Sequence, residues 1–135
     1  MSPFAPAVLI YEKSPRWESA LKRRIASRQL LVRPCRSVAD VIALCRQAPG
    51  SVVVLDFSAG AADGLRLLEA LLRLRVSACA VVVASRAMQE LEWPARELGA
   101  VEFITEPIGG DTVADICRRL LSRESNNARD ESNAL

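Results

Sequence analysis

The chain has no histidine among its 135 residues. That one absence removes serine–histidine and cysteine–histidine nucleophile pairs, imidazole general bases and imidazole metal ligands. It also means that the chain cannot itself donate a phosphoryl group from histidine. The four cysteines, Cys35, Cys45, Cys79 and Cys117, lie far apart and form no CxxC pair, which speaks against a zinc site or a dithiol redox motif. All four sit in or beside apolar segments and read as buried free thiols in a reducing compartment. Neither GxGxxG nor GxxxxGK[ST] occurs, and the loop after the first apolar run is not glycine-rich, so the usual phosphate-cradling loops are missing. No apolar stretch approaches the roughly 18–20 residues that span a bilayer. The first residues, Met1-Ser2-Pro3-Phe4-Ala5-Pro6, lack the positive start and apolar core of a secretion signal. A cytoplasmic protein with no membrane partner is expected. Aromatic residues are scarce, at two Trp, one Tyr and three Phe, so the core must be aliphatic.

What is present suits one domain. Half of the residues are hydrophobic, enough for a core in a chain of this length. The net charge of +2 conceals an asymmetry. Residues 13–36 hold Lys13, Arg16, Lys22, Arg23, Arg24, Arg28, Arg33 and Arg36 against the single acid Glu18. Residues 90–115 hold Glu90, Glu92, Glu97, Glu102, Glu106, Asp111 and Asp115 against the single base Arg96. Such a polarity steers partners or favours head-to-tail pairing, unless the two runs are ordinary solvated faces. Nucleic-acid binding is not expected, because the acidic half offsets the basic one and no aromatic platform accompanies it.

Apolar runs alternate with helical stripes along the chain. Ala7–Tyr11 reads as a first strand. Ser14-Pro15 then offers a cap and a first-turn proline, and Trp17, Leu21 and Ile25 give the helix a buried stripe. Leu30–Arg33 reads as a second strand stopped by Pro34. Ser37 with Asp40 starts a second helix, whose stripe is Val38, Val41, Ile42 and Cys45 and which Pro49-Gly50 ends. Ser51–Leu55 shows no polar alternation, as in a strand covered on both faces. A small-residue loop follows, and Asp63 is expected to cap the third helix. Ala80–Ala84 is a fourth strand, ended by Ser85. The fourth helix is interrupted by Trp93-Pro94, so it covers only Pro94–Leu98 or is kinked, and Gly99 stops it. Val101–Thr105 is a fifth strand. Asp111 is expected to cap the last helix, with Val113, Ile116 and Leu120 inward. Residues 1–6 read as an extension, 7–122 as the domain, and 123–135 as a polar, frayed tail.

Five strand–helix units predict an α/β fold: a doubly wound, five-stranded parallel sheet in a three-layer α/β/α arrangement. Ligands of such sheets bind at the carboxyl ends of the strands. Tyr11, Glu12, Asp56, Ser85 and Glu106 all fall at such ends and are expected to share one crevice.

These residues make the chain resemble the receiver domain of two-component response regulators, of the CheY-like kind and with a flavodoxin-like (βα)5 fold, over about residues 7–122. Asp56 matches the phosphoacceptor after the third strand, and Asp63-Gly64 matches the spacing into the third helix. Ser85 matches the Ser/Thr that senses the phosphoryl group, and Phe103 falls on the aromatic switch position. Gly99-Ala100 and Pro107 match the family's Gly-Ala and the proline of its Lys-Pro pair. The resemblance implies a signalling module with no catalytic residues of an enzyme, and Mg²⁺ held weakly by Glu12, Asp56 and Ser58.

The departures bear on the chemistry. Tyr11-Glu12 stands where the family has two adjacent acids, so one remains. Gly60 replaces the usual loop proline. Glu106 replaces the lysine, and phosphoryl transfer depends on cations facing the developing charge. Two like charges at about 4 Å cost roughly 4 kcal/mol at an effective dielectric of 20, where opposite charges gain as much. Arg86, after Ser85, is a candidate replacement cation unless it is simply a solvated surface residue.

Three functions follow as expectations. The first is a stand-alone, atypical receiver, a pseudoreceiver acting through protein contacts with little or no phosphorylation. Its partners would be a histidine kinase, a phosphotransferase or a downstream effector, with a homodimer through residues 90–122 as an option. The second is a working phosphorelay receiver that accepts a phosphoryl group on Asp56 with Mg²⁺. The third, from another class, is a small nucleotide- or flavin-binding protein on the same fold.

Overall fold

Alternation along the third strand shows how the layers are built. Val52 and Val54 face one side of the sheet and Val53 and Leu55 the other, and all four are fully buried. A strand that is apolar on both faces has to be covered on both. The computed structural model describes residues 5–25 and 30–133. Arg28 and residues 1–4 of the expected extension lie outside the described residues.

Five strands, β1 (Val8–Tyr11), β2 (Val32–Cys35), β3 (Ser51–Asp56), β4 (Ala78–Ala84) and β5 (Ala100–Thr105), form one parallel sheet in the order β2-β1-β3-β4-β5. The helices are α1 (Trp17–Ile25), α2 (Val38–Gln47), α3 (Ala61–Arg73), α4 (Glu92–Glu97) and α5 (Gly110–Asn133). Trp17, Leu21 and Ile25 of α1 and Val113, Ile116, Cys117 and Leu120 of α5 pack on one sheet face. Val41 and Cys45 of α2, Leu67, Leu68 and Leu71 of α3 and Ala95 of α4 pack on the other. This is the expected flavodoxin-like three-layer fold. No helix among the described residues is long and apolar enough to cross a membrane.

Several local expectations are corrected. β2 contains Pro34 instead of ending before it. It is an edge strand, where the missing proline N–H costs no ladder bond that the sheet needs. α1 begins at Trp17, not at Ser14-Pro15, because its cap comes from further back in the chain, as described below. α3 begins at Ala61 with Gly60 before it at φ 153°, so Asp63 lies inside the first turn instead of capping it. Asp111 likewise lies inside the first turn of α5, its carboxylate taken by Arg24. The fourth connection is a 3-10 turn, Arg86–Leu91, leading into α4, with Pro94 tolerated in the first helical turn. α5 continues to Asn133 instead of fraying from Ser122. Once a helix is nucleated each added residue gains a bond, and no Gly or Pro follows Gly110 before Asn133.

Candidate functional site

Strand register places the expected residues in one row. Tyr11 pairs with Leu55, so Glu12 and Asp56 leave the sheet side by side. Ala84 pairs with Thr105, so Ser85 and Glu106 do the same. The backbone N–H of Glu106 donates to the Ala84 carbonyl at 2.8 Å, tying the β5–α5 loop to the end of β4.

Glu12 is engaged by the helix that follows it. Its Oε1 accepts the backbone N–H groups of Arg16 (3.0 Å) and Trp17 (2.9 Å), and its Oε2 accepts that of Glu18 (3.1 Å). The carboxylate thus satisfies three orphan donors of α1 and places negative charge at its positive end. Ser14 was the expected cap; a glutamate two residues earlier does that work.

Asp56 is half-buried at the end of β3. Its Oδ1 accepts both the backbone N–H of Ser58, at 2.9 Å, and the Ser58 hydroxyl, at 2.6 Å. Ser58 therefore holds the aspartate through both of its donors. The resemblance also implies Mg²⁺, and the residues as placed do not fit it. Both Glu12 oxygens face the amides of α1, and one Asp56 oxygen is held by Ser58.

Glu106 does not turn into solvent. It forms an ion pair with Arg16, whose guanidinium also lies over the Trp17 ring, 4.4 Å from its centroid. The Glu106 side chain is 26% exposed and that of Arg16 44%. The sheltered Glu106 Oε1 lacks a well-directed hydrogen bond, so charge, not a directed donor, is what compensates it. Arg86, the candidate cation, is exposed and has no ion pair among the described residues.

A second cation stands beside Arg16. Lys13 Nζ lies 3.5 Å from Asp63 Oδ2, and a Cβ on Gly60 would come within 3.2 Å of it. Lys13 and Arg16 were missed as site residues and counted only as members of a basic run. The available signal was chain position: both lie on the β1–α1 loop, which must pass the row of strand ends. The two charge runs also meet each other. Arg16 pairs with Glu106 and Arg24 with Asp111, so part of the polarity read from the sequence is neutralised internally.

Ser85 is half-buried, and its carbonyl accepts the Met88 N–H at 3.0 Å. Phe103 points into the core and meets Phe57 edge-to-face, with ring centroids 6.2 Å apart and planes at 83°. Phe57 is the residue after Asp56, so Phe103 packs against the neighbour of the aspartate in the chain. Gly64 leaves room for that ring: a Cβ there would stand 2.3 Å from Phe57 Cε1. A cleft of about 650 Å³ opens over the β1 and β2 ends, lined by Tyr11, Glu12, Lys13, Cys35 and Arg36 among others. Asp63 also lines it, whereas Asp56, Ser85 and Glu106 lie at the neighbouring strand ends. Burial raises the thiols Cys35, Cys45 and Cys117 from 9.0 to about 11, 12 and 12. Such thiols are poor nucleophiles and fit the core role expected for them.

No protein-family model matches the chain, and no curated protein matches it in sequence. Solved structures match its shape. The signal receiver domain of a putative LuxO repressor protein from Vibrio parahaemolyticus superposes with a TM-score of 0.77 at 17% identity, over 95% of this chain and 98% of that one. The receiver domain of the TMAO respiratory system response regulator TorR gives 0.72 at 22% identity, over 87% and 98%. The chemotaxis response regulator CheY4 of Vibrio cholerae gives 0.66 at 13%, over 86% and 98%. With its strand order, its two-faced core and its aspartate at the end of β3, this chain has the fold of response regulator receiver domains.

Proposed function

We propose that the chain is a receiver-type module of two-component signalling that works through protein–protein contacts, with phosphoryl transfer to Asp56 impaired. One observation carries this reading: the Arg16–Glu106 ion pair. Phosphoryl transfer needs preorganised positive charge facing the transferred group. At the position where the resemblance implies a lysine, this chain presents a carboxylate, and that carboxylate neutralises the nearby guanidinium. The engagement of Glu12 and Asp56 with local backbone and Ser58 supports a module that does not depend on Mg²⁺. Partners of this reading are a histidine kinase, a phosphotransferase or an effector. The test is exposure of the protein to acetyl phosphate with Mg²⁺, read by intact mass. Unmodified protein is expected, and a stoichiometric adduct lost in Asp56→Asn would sink the reading.

A second reading has an observation of its own. Lys13 lies over the β3–α3 loop, against Gly60 and Asp63, and in a working phosphorelay receiver it would supply the cation in place of Glu106. Under that reading Lys13→Ala suppresses phosphorylation of Asp56 while leaving the fold intact.

A further inference from the structure

The two edges of the sheet differ in a complementary way. At the β5 edge, Trp93 of α4 is 71% exposed, the most exposed large hydrophobic residue among those described, and Val101 of β5 is also exposed. Glu97, four residues after Trp93, places a carboxylate on the same side of α4, and Glu90 lies in the 3-10 turn that leads into it. Both are exposed and have no ion pair among the described residues. At the opposite edge, an apolar hollow of about 190 Å³ opens beside β2, lined by Ala7, Leu9, Leu31, Leu44 and Ala48, with Arg33 as its charged residue. Leu31 is 51% exposed, and Arg33 is exposed with no ion pair among the described residues. The sheet order β2-β1-β3-β4-β5 puts the aromatic knob and the apolar hollow on opposite sides of the molecule.

We propose that the chain associates head to tail with a second copy of itself, the Trp93 indole of one copy entering the β2-edge hollow of the next. Charge selects this occupant. The carboxylates beside Trp93 meet the Arg33 guanidinium beside the hollow, whereas two copies meeting through the same acidic edge would oppose like charges. Pro34 blunts β2 as a hydrogen-bonding edge, so the contact is made by side chains and not by strand addition. A buried indole supplies large apolar area with few rotamers to order, and one such anchor gives a weak contact that depends on concentration. Because each copy carries both a knob and a hollow on different surfaces, the contact is heterologous and leaves a free knob and a free hollow at the ends of every assembly. It differs in kind from a symmetric dimer through residues 90–122, and it is independent of whether Asp56 is phosphorylated.

Mixing two variants of the full chain tests the geometry. Trp93→Ala keeps the hollow, and Leu31→Asp keeps the knob; both positions are exposed, so folding is expected to survive and is checked by circular dichroism. Sedimentation velocity of the wild type should show average mass rising with concentration up to the millimolar range. Each variant alone should remain monomeric, and the two together should form a one-to-one dimer that grows no further. A wild type that stays monomeric, association retained by either variant alone, or a mixture that does not pair would each overturn the proposal. Acrylamide quenching of Trp93, with Trp17 buried as the internal reference, should fall as the wild type assembles and stay unchanged if the hollow is filled from within its own chain, which would also overturn it.

Discussion

Arg16, on the loop after β1, is ion-paired with Glu106, on the loop after β5. The pair joins the loops that follow β1 and β5, at the end of the sheet where Asp56 and Ser85 also lie. A cation therefore does stand near the site, but it comes from the side where the resemblance implies acids, and the acid comes from the side where it implies a lysine.

This exchange of signs predicts a recoverable defect. Arg16→Glu and Glu106→Lys each put like charges together and should lower stability. The double exchange should recover most of the loss. Both side chains are partly exposed, so the coupling energy should be about 1 kcal/mol, from a double-mutant cycle of urea unfolding. Additive effects would show that the pair does not act as a unit.

Glu12 should behave as a helix cap. Glu12→Ala leaves three amide donors of α1 without their acceptor and should cost about 1–2 kcal/mol in thermal or urea unfolding. Mg²⁺ should neither stabilise the wild type nor be missed by the variant. A Mg²⁺-dependent rise in the melting temperature that needs Glu12 would instead make it a metal ligand.

Gly64→Ala should be destabilising although alanine favours a helix. The new methyl meets the buried Phe57 ring, and overpacking of this sort costs about 1–3 kcal/mol, more than the roughly 1 kcal/mol of helix propensity gained. Phe57→Leu in the Gly64→Ala background should return part of the loss. The near-ultraviolet signal should show whether Phe103 is displaced as well.

The buried thiols set an alkaline limit. Cys35, Cys45 and Cys117 are raised by burial from 9.0 to about 11, 12 and 12, so above pH 9 the unfolded chain loses protons that the folded chain keeps. Their contribution to stability is fully present below pH 9 and is lost as pH rises through 11 to 12. Melting temperature should fall across that window, and Cys117→Val should flatten the fall. Reaction with a thiol reagent at neutral pH should be slow at all three in the folded protein.

The architecture was legible in the sequence because each strand carries a local signal. Val52–Leu55 is apolar throughout, and Trp17, Leu21 and Ile25 recur at helical spacing; the structure buries these residues as that pattern requires. The row of strand ends was legible too, because register follows from the order of the units. The connections were not. Pro34 reads as a stop unless β2 is known to be an edge strand, and Ser14-Pro15 reads as a helix start unless Glu12 is known to reach the same amides. The site's electrostatics were the least visible part. Glu106 and Arg16 are 90 residues apart in the chain, and no local pattern tells which member of a distant basic run an acid will choose.

The most direct measurement of the central claim is a titration with beryllofluoride and Mg²⁺ followed by NMR at Asp56, Ser85 and Phe103. With Glu106 standing where the resemblance implies a lysine and paired to Arg16, no saturable shift is expected at any of the three. Saturable shifts at all three that vanish in Asp56→Asn would contradict it, and would show that the aspartate still binds a phosphoryl mimic.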